Sequence, residues 1–154
     1  MSINTSKVLI ICDMENELCI REKDKAYIVI PLIKKRLDYY RKYNYQIIYI
    51  MDVKPDKINK FECQVVDELK PLLHDIIIYK PQIKDNIREI YSSMFKDSVI
   101  EIVGLYTEFC VYWCASIFSN FCKKVNVILK ECIGLNENMI SECLNNMKTF
   151  ANII

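Results

Sequence analysis

The stretch "SVIEIVGLYTEFCVYWC", residues 98–114, passes from an Ile/Val-rich run through a glycine into a segment with helical spacing. The run at 98–103 has the length and composition of a strand buried on both faces of a parallel sheet. Gly104 is one of only two glycines in the chain, and glycine permits turns that other residues resist. The stretch therefore predicts a strand, a turn and a helix, with Cys110 in the first helical turn.

The same alternation extends in both directions along the chain. Further short apolar runs, each typical of a buried strand, lie at 7–12, 46–51, 75–79, 124–129 and 150–154. Segments with helical spacing lie between the runs, at 24–43, 59–70, 85–95, 108–122 and 136–149. Strands and helices that alternate in this way form right-handed βαβ units, so we predict a doubly wound α/β fold. No linker or repeat interrupts the pattern, and residues 1–154 are predicted to be a single domain.

Composition and charge exclude several kinds of partner. The formal net charge is +1, whereas nucleic-acid-binding domains usually carry a strong basic excess. The first apolar run holds five residues before an aspartate, which is too short for a signal peptide, and no stretch reaches the roughly 18 apolar residues of a membrane span. We therefore expect a cytoplasmic protein that binds a small molecule and neither nucleic acid nor membrane.

The cysteines and the single histidine limit the metal sites that can be expected. Eight cysteines are present without a CxxC pair, which argues against zinc ribbons and thioredoxin-like motifs. His74 is the one histidine, and we interpret it as a surface loop residue. The remaining candidate ligands are then carboxylates, a weak set for zinc or iron, so we predict no metal and no other cofactor. Most of the cysteines are expected to be reduced and to pack as small hydrophobic residues.

Three chemically capable residues follow predicted strands, where ligands bind in doubly wound sheets. Asp13 follows the first strand, Lys80 the third and Cys110 the fourth. Alone, Asp13 could be a cap or turn residue and Lys80 a solvated lysine, but a cysteine nucleophile needs a base and a charged partner at one edge. Thr107 as N-cap and Glu108 in the first turn predict a helix start that lowers the pKa of the Cys110 thiol and places its amide to stabilise an oxyanion.

Three segments together resemble the isochorismatase-like cysteine hydrolases, which include nicotinamidases, isochorismatases and N-carbamoylsarcosine amidase. The segments are "VLIICDMENEL" at 8–18, "YK" at 79–80 and "VGLYTEFCVYWCA" at 103–115. The resemblance runs from about residue 7 to the C-terminus. It implies a three-layer α-β-α fold with a six-stranded, mainly parallel sheet in the order 3-2-1-4-5-6.

The resemblance also implies roles for particular residues. Asp13, Lys80 and Cys110 would form a catalytic triad, and the peptide bond between Leu105 and Tyr106 would be cis. The N–H groups of Tyr106 and Cys110 would then form the oxyanion hole. The expected activity is hydrolysis of a C–N bond in a small amide, through a thioester on Cys110.

The chain departs from the family pattern at several positions, and these bear on the substrate. Glu15 stands where glutamine is usual, Leu18 where an aromatic residue often lines the pocket, and Tyr106 replaces a small residue. Asp52 lacks the histidines of the nicotinamidase metal site, and Lys54 occupies one of their positions. We therefore take Glu15, Leu18 and Asp52 as substrate-pocket candidates and do not expect nicotinamide held on a metal.

Two other functions and one assembly state remain open. An isochorismatase-type vinyl-ether hydrolase would not require the nucleophile, and a catalytically degenerate family member would serve as a binding module. Residues 27–45 hold five tyrosines, more than one helix and its exit turn need for packing. Surplus aromatic residues are typical of interfaces, and relatives commonly assemble, so we expect a homo-oligomer.

Overall fold

Six strands form one parallel sheet in the computed structural model, which describes residues 2–83 and 85–154. The strands are β1 (Asn4–Cys12), β2 (Tyr45–Met51), β3 (Ile76–Tyr79), β4 (Val99–Leu105), β5 (Lys124–Ile133) and β6 (Asn152–Ile153). Their order is β3-β2-β1-β4-β5-β6, and every neighbouring pair is parallel. The predicted sheet is confirmed, including the short edge strand β6 at the end of the chain.

Helices follow the strands and cover both faces of the sheet. They are α1 (Asn16–Arg21), α2 (Lys23–Lys42), α3 (Lys80–Ile83), α4 (Ile87–Phe95), α5 (Tyr112–Phe118) and α6 (Glu137–Met147). A π-helical turn at Thr107–Val111 leads directly into α5. The chain therefore has the predicted three layers, with the sheet in the middle.

The two faces of the sheet pack against separate hydrophobic cores. In β1, Leu9 and Ile11 join the core that α2 covers, while Val8, Ile10 and Cys12 join the core beneath α4, α5 and α6. Successive side chains of a strand point to opposite faces, so a strand covered on both sides needs apolar residues throughout. This explains why the strands read as continuous apolar runs in the sequence.

The prediction of a helix over residues 59–70 is wrong. The segment holds two short 3₁₀ turns, Phe61–Cys63 and Asp67–Leu69, separated by extended residues. Its backbone bonds to the segment after β1: the Val66 N–H donates to the Met14 carbonyl at 3.0 Å, and the Asn16 N–H donates to the Gln64 carbonyl at 2.9 Å. These bonds replace the helical ones; of the apolar residues, Val65, Val66 and Leu69 are buried, whereas Phe61 is exposed.

The long helix α2 occupies nearly the predicted span, but its buried face is rotated from the apolar stripe that the sequence indicates, which consists of Tyr27, Ile30, Ile33, Leu37 and Tyr40. Its buried residues are Ala26, Val29, Ile33, Leu37 and Tyr40, whereas Tyr27 is exposed. Spacing alone does not distinguish the sequence stripe from the buried face, because both contain Ile33, Leu37 and Tyr40. Within the described parts of the chain, neither α2 nor any other helix is long and apolar enough to cross a membrane.

Candidate active site

Three strand ends meet at one edge of the sheet and bring Asp13, Lys80 and Cys110 together. Asp13 follows β1, Lys80 is the first residue of α3 after β3, and Cys110 lies in the π-helical turn after β4. They share one cavity, which is lined by Asp13, Glu15, Leu18, Asp52, Lys80, Tyr106, Phe109 and Cys110. The cavity therefore contains every site residue named from the sequence except Leu105, which is fully buried.

The Asp13 carboxylate is held by backbone and side-chain contacts. Its φ is +46°, a left-handed conformation that aspartate adopts more readily than most residues. The Asp52 N–H donates to Oδ1 at 2.7 Å, and Lys80 Nζ lies 3.7 Å from Oδ2. Burial raises the pKa of Asp13, and the opposing effects of Lys80, the Cys110 thiol and the Asp52 amide do not cancel it. Asp13 is a fixed carboxylate with increased basicity.

Lys80 supplies the positive charge of the cavity. Its Nζ lies 3.7 Å from a carboxylate oxygen of both Asp13 and Asp52, and 5.3 Å from the centre of the Trp113 ring. Burial lowers the pKa of Lys80, but the charge of Cys110 in its ionised form and the charges of Asp13 and Asp52 raise it above its ordinary value. The ammonium therefore stays charged beside the other two groups.

Cys110 is buried, with 2% of its surface exposed, and it contacts a second thiol. Its Sγ lies 3.9 Å from Cys114 Sγ, which in turn lies 3.6 Å from Cys12 Sγ. The hydrogen bond with Cys114 lowers the pKa of Cys110. The interaction with the Cys12 thiol, the burial, and the charges of Cys12 and Asp13 raise this pKa well above its ordinary value. The expected depression of the pKa is wrong because Cys12, the burial and Asp13 outweigh the helix start and the bond with Cys114.

The turn that carries Cys110 begins differently from the sequence-based prediction. Tyr106 precedes the first helical residue and makes no side-chain capping bond, whereas Thr107 lies inside the turn and is buried. Glu108 is in the first turn as predicted, and its Oε1 accepts a bond from the Leu135 N–H at 2.7 Å. The peptide bond between Leu105 and Tyr106 is cis.

Gly104 belongs to β4 and does not form a turn of its own. Its φ is +112°, and it pairs with Cys12 of the neighbouring strand β1. A Cβ atom at this position would lie 2.3 Å from the Cys12 carbonyl oxygen. The glycine is therefore required by both its conformation and the close approach of two backbones, immediately before the site.

Glu15 is an unusual residue in the wall of the cavity. Only 5% of its surface is exposed, and its buried Oε2 has no hydrogen-bond partner among the described residues. Burial, followed by the charge of Asp13, raises its pKa to about 8. Leu18 and Asp52 also line the cavity, and Asp52 is largely exposed, so its attraction to Lys80 is screened by solvent.

Aromatic side chains complete the walls, and the sequence-based reasoning missed two of them. Tyr106 lines the cavity, and its hydroxyl donates to Glu22 Oε1 at 3.1 Å. Phe109 and Trp113 line an adjoining opening together with Asp52, Lys80, Pro81 and Cys110. Trp113 lies three residues after Cys110 and four after Phe109, and residues three or four apart share a helix face, so this spacing could have indicated both.

The assumption that only carboxylates could bind a metal is wrong. The Sγ atoms of Cys12, Cys110 and Cys114 all lie within 4.8 Å of one another. Cys12 is distant from the other two in sequence, so no local spacing motif could indicate the group. His74 is exposed in the turn before β3, as expected.

Comparisons with known proteins agree with the architecture. An isochorismatase-like hydrolase from Alkaliphilus metalliredigens is 16% identical with a TM-score of 0.76, covering 96% of this chain and 85% of that one. A Pyrococcus horikoshii pyrazinamidase, solved in complex with zinc, is 17% identical with a TM-score of 0.77, covering 97% and 98%. An N-carbamoylsarcosine amidase from Thermoplasma acidophilum is 18% identical with a TM-score of 0.76, covering 96% and 95%.

These structural similarities establish the fold, and the family follows from a match of the sequence to a family model. No curated protein sequence matches the chain. The family model described as Isochorismatase domain matches residues 7–130, well over half of the chain, and this range includes most of β1, all of β2 to β4 and every residue that lines the cavity. The chain belongs to the isochorismatase family, a family of hydrolases.

Proposed function

We propose that the protein is a cysteine hydrolase that cleaves a C–N bond of a small amide, with Asp13, Lys80 and Cys110 as its catalytic residues. The observation that carries the proposal is their convergence on one cavity, with Lys80 Nζ 3.7 Å from Asp13 Oδ2 and Cys110 on the same wall. A thiol, a carboxylate and an ammonium together supply a nucleophile, a general base and a fixed charge.

The reaction begins with a protonated thiol. Asp13 takes the proton of Cys110 as Sγ attacks the amide carbonyl carbon, and the oxyanion is stabilised by the Tyr106 and Cys110 N–H groups. Asp13 returns the proton to the leaving amine as the C–N bond breaks, which leaves a thioester on Cys110. Asp13 then activates a water that hydrolyses the thioester and restores the thiol. Lys80 keeps its charge throughout and stabilises the carboxylate.

The raised pKa values of Cys110 and Asp13 support this order of events. A thiol that is protonated at rest needs a base at the moment of attack, and a buried carboxylate is a stronger base than an exposed one. Vinyl-ether hydrolysis of the isochorismatase type is the alternative reaction, and it does not need the thiol. Binding without catalysis is the other alternative, and no turnover of any substrate would favour it.

A substrate panel with variants tests the proposal. Small primary amides and N-carbamoyl amines are compared with isochorismate as substrates for the reduced protein. The expected result is amide hydrolysis that Cys110→Ala decreases by about 10³-fold or more, as removal of a catalytic nucleophile commonly does. Cys122→Ala is the matched control, because Cys122 is a half-buried cysteine that does not line the cavity. Full amide turnover by Cys110→Ala, or turnover of isochorismate alone, would contradict the mechanism.

A further inference from the structure

Three buried thiols converge beside the cavity, and one of them, Cys12, is distant from the other two in sequence. Cys12 ends β1, Cys110 lies in the π-helical turn, and Cys114 follows one turn later in α5. The Sγ atoms of Cys12 and Cys114 are 3.6 Å apart, those of Cys110 and Cys114 are 3.9 Å apart, and all three lie within 4.8 Å. None of the three residues has more than 2% of its surface exposed.

These separations fit the ligand face of a tetrahedral metal site. A zinc–sulfur bond is about 2.3 Å, which places two sulfur ligands of one tetrahedral ion about 3.8 Å apart. The two measured separations lie on either side of this value. Cys110 also lines the cavity, so an ion can reach the sulfur atoms from there and keep its fourth position open to a water. We propose that Cys12, Cys110 and Cys114 form a three-sulfur site for a thiophilic divalent ion such as Zn²⁺.

The charges around the thiols favour a divalent ion. Ligation requires thiolates, so three thiols release three protons to solvent for each ion bound. Three thiolates and Zn²⁺ leave one net negative charge, near a Lys80 ammonium that also faces the Asp13 and Asp52 carboxylates. A monovalent copper ion would leave two negative charges in the same buried space. Among the soft ions that prefer thiolate ligands, a divalent ion therefore leaves less uncompensated charge in the buried space than a monovalent one does.

The simplest explanation for the three cysteines is that each of them packs as a small buried hydrophobic residue. Burial alone accounts for Cys19, which is also buried but does not belong to the group. It does not account for three sulfur atoms that meet at the side of a cavity. The consequence of occupancy is that the ion takes the thiolate of Cys110 and blocks any nucleophilic attack by it. The site itself does not depend on the proposed hydrolysis, because ion binding is measured without substrate.

Cadmium titration of the full chain tests the site, because cadmium–thiolate bonds absorb in the ultraviolet. The protein is reduced with a phosphine and freed of metal with a chelator before Cd²⁺ is added. One Cd²⁺ per chain is expected, with the absorbance of three thiolates, and added Zn²⁺ should displace it. The bound ion should also protect Cys110 from iodoacetamide, as read by peptide mass mapping.

Variants identify the ligands. Cys114→Ala should weaken Cd²⁺ binding by at least about 100-fold, since even residues that only orient a metal ligand contribute 10–100-fold. Cys12→Ala should do the same independently, and Cys114→Ser preserves the side-chain shape if the alanine variant unfolds. Cys122→Ala is the matched control and should bind Cd²⁺ as the unmodified chain does. No thiolate absorbance in the reduced protein, or equal Cd²⁺ affinity in the folded Cys12 and Cys114 variants, would overturn the proposal.

Discussion

Glu15 shows how one side chain can set the properties of the cavity. It lies beside Asp13, but the two carboxyl groups have different partners. Asp13 receives a hydrogen bond from the Asp52 N–H and lies close to the charge of Lys80, whereas Glu15 Oε2 is buried without a hydrogen bond from any described residue. Carboxyl groups whose environments separate their pKa values can take different roles in one site. Glu15 is accordingly the carboxyl group that stays protonated near neutral pH.

The protonation of Glu15 predicts a pH dependence of stability. Its pKa in the folded chain is about 8, above the usual 4.5. A group with a raised pKa contributes stability that is fully present below the unfolded value and is lost as pH rises through the folded value. The free energy of unfolding should therefore decrease between about pH 4.5 and pH 8, because Glu15 ionises in the unfolded chain but keeps its proton in the buried position.

Glu15→Gln removes the titrating group and keeps the shape. The variant should gain stability over the unmodified chain as pH rises from 5 to 8, by a few kcal/mol at most, since one pKa unit corresponds to about 1.4 kcal/mol. Urea unfolding at both pH values measures the difference. Other titrating groups are common to both proteins, so identical pH dependence of the two unfolding free energies would show that Glu15 ionises freely.

At the scale of elements, the pairing of β1 with β4 decides the geometry of the site. Cys12 and Gly104 are direct partners in this pair, and the residues that follow them are Asp13 and Leu105. Their close approach places the end of β1 against the turn that carries Cys110. A change at this pair should therefore disturb both the sheet and the cavity.

Gly104→Ala tests the pairing. The new Cβ would meet backbone atoms of Cys12 at 2.3 and 2.8 Å, and alanine would have to adopt a φ of +112°. Strained conformations and overpacking each cost about 1–3 kcal/mol, so a loss of about 2–6 kcal/mol in the free energy of unfolding is expected.

Gly134→Ala is the matched control for this change. The new Cβ there would also be close to another atom, but the nearest one is Ile140 Cδ1, at the end of a flexible side chain. Because that side chain can rotate away, the control should lose clearly less stability. Urea unfolding of both variants gives the comparison, and equal losses would mean that the backbone contact with Cys12 is not limiting.

The elements also show what sequence patterns can and cannot predict. The strands were predictable because burial on both faces requires continuous apolar runs, as at residues 8–12, whereas the strand order was implied by the family resemblance. Asp13, Lys80 and Cys110 could be grouped because the ends of parallel strands share an edge. The conformation of segment 59–70 was not predictable, since its backbone forms hydrogen bonds with Met14 and Asn16, which are far away in sequence.

The thiol group was also beyond the sequence pattern. Whether Cys12 faces Cys110 depends on which side of β1 it points to and on the register of β1 with β4. The prediction of a lowered pKa for Cys110 failed for the same reason. The helix start is a local feature of the sequence, whereas the burial and the neighbouring thiols depend on the tertiary structure. Local patterns thus located the site but not its protonation state.

At the scale of the whole molecule, the five tyrosines of residues 27–45 divide into two groups. Tyr40 is buried, and Tyr39, Tyr43 and Tyr45 contact one another, with ring centres 4.8–6.3 Å apart. Lys7 Nζ also lies 5.8 Å from the ring centres of Tyr39 and Tyr45. Tyr27 is different: it is 83% exposed, and its neighbour Ile28 is 66% exposed. Packing within the chain accounts for the first group but not for Tyr27.

Self-association through the start of α2 is the expected use of this exposed pair. Exposed aromatic and aliphatic side chains lose contact with water when they pack against a partner, which favours association. Sedimentation velocity at micromolar concentration should therefore show a species heavier than the 18.3 kDa chain. Tyr27→Lys should shift it to the monomer, because association would bury the lysine charge without a partner. Tyr43→Lys, at a half-exposed tyrosine of the other group, is the control and should stay associated. A monomeric unmodified chain, or equal dissociation by both variants, would rule out an interface at Tyr27.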